Sequence, residues 1–195
     1  LEAYLALYEA SGAERYLERA RVIARLFAEK MFRADCDALP ETFAPDWSPA
    51  PGRAAFEPGH HFEWIWLLAK YDAASGEDHG DYRARLWRTA LRCGRDARGL
   101  CFDEVALHDL APVRSTRLWP HCEGVKAALA MVSAPEAQEL LGAMLQAMDV
   151  FVDRPFAGGW IDRFDAEGAP AVDFVPASSL YHLYLAYAEL EAAQA

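Results

Sequence analysis

Residues 56–68, FEPGHHFEWIWLL, join a polar start to an almost wholly apolar continuation. Pro58-Gly59 stops any earlier helix, and proline is well tolerated in the first turn of a new one. On a helix of 3.6 residues per turn, His60 and Glu63 share a face and can act together. The stretch predicts a buried helix with acid/base side chains at its N-terminal end. The alternative is a core helix whose histidines only satisfy buried hydrogen bonds.

The composition is that of a globular protein. Of 195 residues, 53% are hydrophobic and 12% aromatic, which is enough for one sizeable core. A net charge of −11 argues against a nucleic-acid partner. No apolar run is long enough to span a membrane, and the N-terminus lacks a signal-like pattern. We therefore expect one domain or a piece of one, without nucleic-acid or membrane partners.

The cysteines indicate a reducing compartment. They lack C-x-x-C spacing, and the chain is too large to need disulfide staples. We predict that they are free thiols in a cytoplasmic protein. They are Cys36, Cys93, Cys101 and Cys122.

Amphipathic and apolar helices alternate along the chain. Surface helices are predicted at 13–33, 81–95 and 136–151, where apolar residues follow one helical face. Buried helices, apolar nearly all round, are predicted at 56–71, 121–131 and 180–190. A long loop precedes each buried helix, and we expect short β-hairpins there, including one that pairs 100–102 with 104–107.

The buried helices recur with a regular spacing. His60, His121 and His182 each lie near the start of one, 61 residues apart (121 − 60 and 182 − 121). A period of this length, built from helix pairs, predicts helical-hairpin repeats that close into an all-α (α/α) toroid. Three hairpins cannot close such a ring, so we expect about half of it here. The long loops and the N-termini of the inner helices would then face one cavity.

Four segments together resemble one enzyme family. They are PGHHFEW at 58–64, RLWPHCE at 117–123, GGWID at 158–162 and PASSLYH at 176–182. In this order they resemble the N-acylglucosamine 2-epimerase family, which includes mannose isomerases and cellobiose 2-epimerases. The resemblance implies an (α/α)6 barrel, with residues 1–195 as the C-terminal portion of a single catalytic domain. It also implies proton transfer at C1/C2 of a sugar with no metal and no cofactor, and often a homodimer. A further family histidine, tied to ring opening, would lie upstream.

The resemblance and the chemistry together assign roles to individual residues. His182 is predicted to be the base and His60 its acid/base partner, while Glu63 orients His60. We expect the helix dipole to keep such histidines neutral. Substrate contacts are predicted at Trp119, Glu123, His121, Trp160 and Arg53.

The reaction predicted is aldose–ketose isomerisation of a mannose-type hexose through a cis-enediolate. The alternative within the family is 2-epimerisation of N-acetylglucosamine and N-acetylmannosamine. A glycosidase that pairs Glu63 with Asp162 or Glu123 is a more distant possibility, because (α/α) barrels host such enzymes. A non-catalytic sugar-binding module is another.

Overall fold

A computed structural model describes residues 1–52 and 54–194 of the chain. This part of the chain contains seven α-helices. They are α1 Glu2–Ser11, α2 Glu14–Leu26, α3 Pro58–Ser75, α4 Gly80–Cys93, α5 Trp119–Ala130, α6 Ala137–Met148 and α7 Ala177–Gln194. A π-helical turn, Phe27–Met31, extends α2. The predicted alternation of helix types is confirmed, and none of the described helices is long and apolar enough to cross a membrane.

The helices form an inner and an outer row. In the inner row α1 packs against α3, α3 against α5, and α5 against α7. The amphipathic helices α2, α4 and α6 cover these from outside. Side chains such as Ile65 and Leu68 of α3 and Val125 of α5 have no exposed surface. The core thus lies between the two rows, as the apolar segments predicted.

The last inner helix departs from the prediction of all-round burial. Leu180, Tyr184 and Tyr187 of α7 are 57%, 67% and 61% exposed. An apolar helix surface is buried only where another element packs against it, and among the described residues α7 packs chiefly against α5. The composition of α7 is therefore that of an inner helix, whereas only one of its sides is covered by this part of the chain.

Short strands tie the long loops together at one end. β1 Ala55–Phe56, β2 Glu104–Ala106 and β3 Pro112–Val113 form an antiparallel sheet in that order. β4 Thr116–Arg117 pairs with β5 Arg163–Phe164. The hairpin expected between 100–102 and 104–107 is wrong, because β2 pairs with β1 and β3 instead. Two of the three pairings join different loops, so the loops support one another.

The first turns of α3 and α5 approach each other closely at Gly59. A Cβ atom on Gly59 would lie 2.5 Å from Cη2 of Trp119 and 3.0 Å from Cβ of Pro120. Such distances are well inside van der Waals contact, so only glycine fits without movement. The indole of Trp119 is therefore held directly against the start of α3.

We predict that Gly59→Ala destabilises the protein by about 1–3 kcal/mol, because the methyl group overpacks a rigid contact. The matched control is Gly142→Ala, at an exposed site of α6 where an added Cβ meets nothing within 4 Å. That change should stabilise the helix by up to about 1 kcal/mol through higher helix propensity. Urea unfolding of both variants measures the two effects. Equal stabilities would contradict the tight crossing.

Candidate active site

Two histidine rings contact one indole where the inner helices begin. The ring centroid of Trp119, the first residue of α5, lies 4.9 Å from that of His60 and 5.2 Å from that of His182. His60 is in the first turn of α3, and His182 is in the second turn of α7. Because α5 packs between α3 and α7, the structure brings together three residues that lie far apart in sequence.

A separate cavity of about 590 Å³ opens between the C-terminal halves of the inner helices. Trp66, Lys70 and Glu189 line it, together with mostly apolar side chains from α1, α3, α5 and α7. No histidine is among its lining residues. The residue types suited to proton transfer are instead gathered at the opposite, N-terminal ends of the same helices.

His60 is surrounded by carboxylates. Glu41 Oε2 lies 2.8 Å from Nδ1 of His60, whereas the nearest oxygens of Glu57 and Glu63 are each 4.0 Å from the ring. Burial disfavours protonation of His60, but the hydrogen bond to Glu41 and the three negative charges outweigh burial and raise its pKa. The charges around His60 thus oppose the neutral form that the helix dipole was expected to keep.

Glu41, and not Glu63, is the carboxylate that orients His60. The hydrogen bond fixes Nδ1 of His60 toward Glu41, and Glu63 lies too far from the ring for a hydrogen bond. The orienting role predicted for Glu63 is therefore wrong. Glu41 also accepts a hydrogen bond from the backbone N–H of Glu57, 2.9 Å away, so its carboxylate is itself held in place.

Glu63 lies within reach of the charges of both histidines. Burial raises the pKa of Glu63, the charge of Glu123 raises it further, and His60, Lys126 and His182 partly oppose the rise. A carboxyl group with a raised pKa spends more time protonated near neutral pH. The environment of Glu63 thus favours its protonated form more than water does.

His182 has its own carboxylate. Oε1 of Glu123 lies 2.7 Å from Nδ1 of His182, and Oε2 of Glu123 lies 2.9 Å from Nζ of Lys126. Both Glu123 and Lys126 are fully buried. The sequence predicted Glu123 near the site but gave no sign of Lys126, because a Glu and a Lys three residues apart on a helix usually form a surface pair.

His121 is a structural residue of the core. It has no exposed surface, its Nε2 accepts the backbone N–H of Cys101 at 3.0 Å, and its Nδ1 lies 2.9 Å from the carbonyl oxygen of Arg117. Burial lowers the pKa of His121 to about 4. The structure contradicts the substrate contact predicted for His121, because both ring nitrogens are already bonded to backbone groups.

The true counterpart of His121 is His61. The ring Nε2 of His61 accepts the backbone N–H of Leu39 at 3.0 Å, and burial lowers its pKa to about 3. His61 and His121 are 60 residues apart (121 − 61), as are Glu63 and Glu123 (123 − 63). The repeat is therefore one residue shorter than the spacing of 61 used above. In both repeats a neutral histidine anchors the preceding loop to an inner helix.

The remaining predicted residues contribute less to this geometry. Trp160 is partly buried and packs against the main hydrophobic core, so its contact with a sugar stays a prediction. Arg53 lies outside the described residues. Asp162, considered above as a glycosidase carboxylate, is buried and accepts a hydrogen bond from the hydroxyl of Ser179.

Arg117 and Arg163, beside the site, are both paired with carboxylates. Arg117 lies 2.7 Å from Glu57 and 2.8 Å from Asp103, and Arg163 lies 2.7 Å from Asp103. Two arginines are thereby matched by two carboxylates. Pattern reading missed Asp103 because it lies in a loop, 14 residues before its partner in sequence.

Three side chains beside the site have the donor atoms for a divalent cation. Ligand atoms of Glu41, Glu57 and His60 all lie within 4.8 Å of one another. Each is already engaged, since Glu41 bonds His60 directly and Glu57 pairs with Arg117. The arrangement is fully explained as a histidine between carboxylates.

Comparisons with known proteins find relatives among sugar isomerases. A family model described as N-acylglucosamine 2-epimerase matches residues 1–186. The chain is 34% identical to a mannose-6-phosphate isomerase of Rhizobium meliloti, covering 97% of this chain and 52% of that protein. It is 29% identical to a D-mannose isomerase of Pseudomonas cannabina, covering 95% and 50%. The chain thus spans about half the length of these relatives.

A solved structure establishes the architecture. The crystal structure of a D-mannose isomerase superposes with a TM-score of 0.85 at 22% identity, covering 98% of this chain and 52% of that one. The predicted (α/α)6 barrel, about half of which is present here, is confirmed.

We predict that His121→Gln makes the protein more resistant to acid. The unfolded chain binds a proton at His121 below about pH 6.5, whereas the folded chain does so only near pH 4. The native histidine therefore costs up to about 3 kcal/mol of stability as the pH falls through this window. Glutamine keeps a hydrogen-bond acceptor and does not titrate. Urea unfolding at pH 7 and pH 4.5 measures the difference.

The control for this prediction is His108→Gln, because the His108 side chain is 77% exposed. It should leave the pH dependence of unfolding unchanged. An equal response in the two variants would contradict a buried, neutral His121.

We predict that Glu41→Gln lowers the pKa of His60 by removing its hydrogen-bonded charge. The raised pKa means that the Glu41–His60 pair stabilises the fold fully below about pH 6.5, and that this stability is lost as the pH rises through the raised value. NMR titration of 13C-labelled histidine measures the pKa. The matched control, Glu63→Gln, removes a charge 4.0 Å away and should give a smaller shift. A larger shift in the control would restore Glu63 as the main partner.

Proposed function

Because the chain belongs to the N-acylglucosamine 2-epimerase family, we propose that its site transfers a proton between C2 and C1 of an open-chain sugar. The reaction proposed is isomerisation of a mannose-type aldose to the ketose. The observation that carries this proposal is the pair of histidines, His60 and His182, that contact the same Trp119 ring. The relatives are about twice as long, so the activity belongs to the polypeptide that contains this chain.

His182 is suited to remove the proton from C2. With the Glu123 carboxylate 2.7 Å from Nδ1, a neutral imidazole carries its hydrogen on Nδ1 and its lone pair on Nε2. Nε2 can then take the C2 proton and return it to C1 on the same face of the enediolate. The C2–H bond breaks, its electron pair forms the C1–C2 double bond, and the new C1–H bond completes the ketose.

His60 is suited to transfer protons at the sugar oxygens O1 and O2. As the C2 proton leaves, negative charge develops on O1 of the former aldehyde, and a positively charged donor stabilises it. Three carboxylates raise the pKa of His60, so its protonated form is available for this task near neutral pH. The ring can give a proton to O1 and then accept one from O2. Trp119, which contacts both histidines, offers a flat apolar face to the sugar carbons.

The charges around the site favour a neutral sugar over a sugar phosphate. The relatives are named for mannose-6-phosphate and for mannose, so their names leave the phosphate open. Glu41, Glu57 and Glu63 surround His60, while Arg117 is already paired with Glu57 and Asp103. A phosphate would meet carboxylates with no unpaired arginine among these residues. We therefore propose an unphosphorylated hexose.

Epimerisation is the second candidate, on the same observation. If His182 removes the C2 proton from one face of the sugar and His60 returns another from the opposite face, the product is the C2 epimer. A glycosidase is less well supported, because Asp162 is bonded to Ser179, and Glu123 lies between His182 and Lys126. A reducing compartment such as the cytoplasm fits the four free cysteines.

We predict that D-mannose in deuterated water, with the polypeptide that contains this chain, yields fructose carrying deuterium at C1. Proton NMR follows both product and label. His60→Ala and His182→Ala should each lower the rate by about a hundredfold or more, as expected for a lost acid/base group. His108→Ala is the matched control, since the His108 side chain is 77% exposed.

The outcomes separate the candidates. Deuterium at C2 of N-acetylglucosamine formed from N-acetylmannosamine would favour the epimerase. Undiminished exchange in either histidine variant would overturn the catalytic assignment.

A further inference from the structure

Lys126 is fully buried in the middle of α5. Its ammonium nitrogen lies 2.9 Å from Oε2 of Glu123, which is also fully buried, and 3.8 Å from the ring centroid of Trp66. Lysine is almost never fully buried unless it is paired, because desolvation of an ammonium costs several kcal/mol. The two charged atoms touch as an ion pair without the alignment of a good hydrogen bond. An interaction this costly needs an explanation.

Stability does not explain the buried pair. Apolar side chains of similar volume in place of a buried ion pair are often neutral or stabilising. A methionine at position 126 would fit an apolar setting against Trp66 with no desolvation cost. The role of the Lys126 ammonium must therefore lie in its effect on neighbouring groups.

Glu123 links Lys126 to the candidate base. One carboxylate oxygen of Glu123 faces Lys126, and the other lies 2.7 Å from Nδ1 of His182. The row Lys126, Glu123, His182 therefore runs from the interior of α5 to the side of Trp119. Glu63 of α3 lies close enough to repel Glu123, so without a cation the two carboxylates would disfavour each other's charged forms.

We propose that Lys126 is a positioning residue, which compensates the charge of Glu123 and holds its carboxylate against Nδ1 of His182, so that Nε2 of His182 faces the substrate as the acceptor. The role in sugar chemistry rests on the proposed function, whereas the effect on His182 does not. With Lys126 in place, the Glu123 carboxylate is already neutralised, and a second cation on His182 would be poorly compensated in a buried setting. Without Lys126, Glu123 would stabilise the protonated form of His182 alone.

The other groups near His182 do not supply this effect. Glu63 and His60 of α3 have charges of opposite sign, and Glu63 has a raised pKa. Tyr181 of α7 donates a hydrogen bond to Glu2 of α1, and burial raises the pKa of its phenol. Tyr181 is thus neutral near pH 7. Lys126 is the cation that contacts Glu123, the carboxylate bonded to His182.

The test compares Lys126→Met with the matched control Lys70→Met in the polypeptide that contains this chain. Lys70 also lies over Trp66, at 5.3 Å, and pairs with a glutamate, Glu189 at 3.1 Å. Its side chain is 38% exposed and lies on the cavity at the other end of the inner helices. NMR titration of 13C-labelled His182 is the first measurement.

In Lys126→Met, half-protonation of His182 should occur about one pH unit higher, a tenfold change in proton affinity. The acid limb of the kcat profile with mannose should move upward by a similar amount, with little change in KM. Lys70→Met should change neither. A lower melting temperature with an unmoved His182 titration would show a merely structural lysine and overturn the proposal, as would an equal shift in the control.

A double-mutant cycle keeps the test decisive if Lys126→Met folds poorly. Glu123→Gln and the double variant Glu123→Gln/Lys126→Met remove the buried carboxylate, with and without its cation. If Lys126 acts through Glu123, the two variants should give the same His182 titration. Different titrations would overturn the relay. Absence of any sugar exchange in the unmodified protein would refute the proposed function but leave the His182 titration fully interpretable.

Discussion

The close crossing of α3 and α5 at Gly59 is the contact on which the site geometry depends. A side chain there would occupy the space of the Trp119 indole, 2.5 Å from its Cη2 atom. Because Gly59 has no side chain, Trp119 lies against the start of α3, beside His60. The packing of α7 on the other side of α5 then brings His182 to the same ring. Helix packing and site geometry are thus one constraint.

The sequence predicted the features that depend on local pattern. Apolar and amphipathic segments identified the inner and outer helices, because the periodic spacing of apolar residues shows which face of a helix is buried. Pro58 and Pro120 marked the starts of α3 and α5 for the same local reason. The gathering of His60, Trp119 and His182 followed from stacking equivalent helix starts in one row.

Features that depend on how loops close could not be predicted from the sequence. Glu41 lies in a proline-rich loop with no periodic pattern, 19 residues before the histidine that it orients. The spacing of 61 aligned His121 with His60, whereas its backbone contact matches that of His61. A histidine facing a cavity and one capping a loop look alike in sequence. Only the position of the loop N–H distinguishes them.

The two candidate catalytic histidines differ in the charges around the carboxylate that bonds each of them. Each has a carboxylate oxygen within 2.8 Å of Nδ1, so their local hydrogen bonds are nearly the same. His60 faces the charges of Glu41, Glu57 and Glu63, and its pKa is raised. The carboxylate beside His182 is shared with a buried ammonium. Sites that combine an acid and a base separate the two by such environments.

The same asymmetry answers a difficulty that the proposed reaction raises. An enediolate is negatively charged, and a site surrounded by glutamates would repel it if every group kept its ordinary protonation state. The raised pKa values of His60 and Glu63 turn both groups toward their proton-donating forms. The carboxylates that would repel a phosphate therefore prepare a cationic donor for the enediolate. A neutral sugar that becomes negative only during reaction is the substrate that this electrostatic arrangement suits.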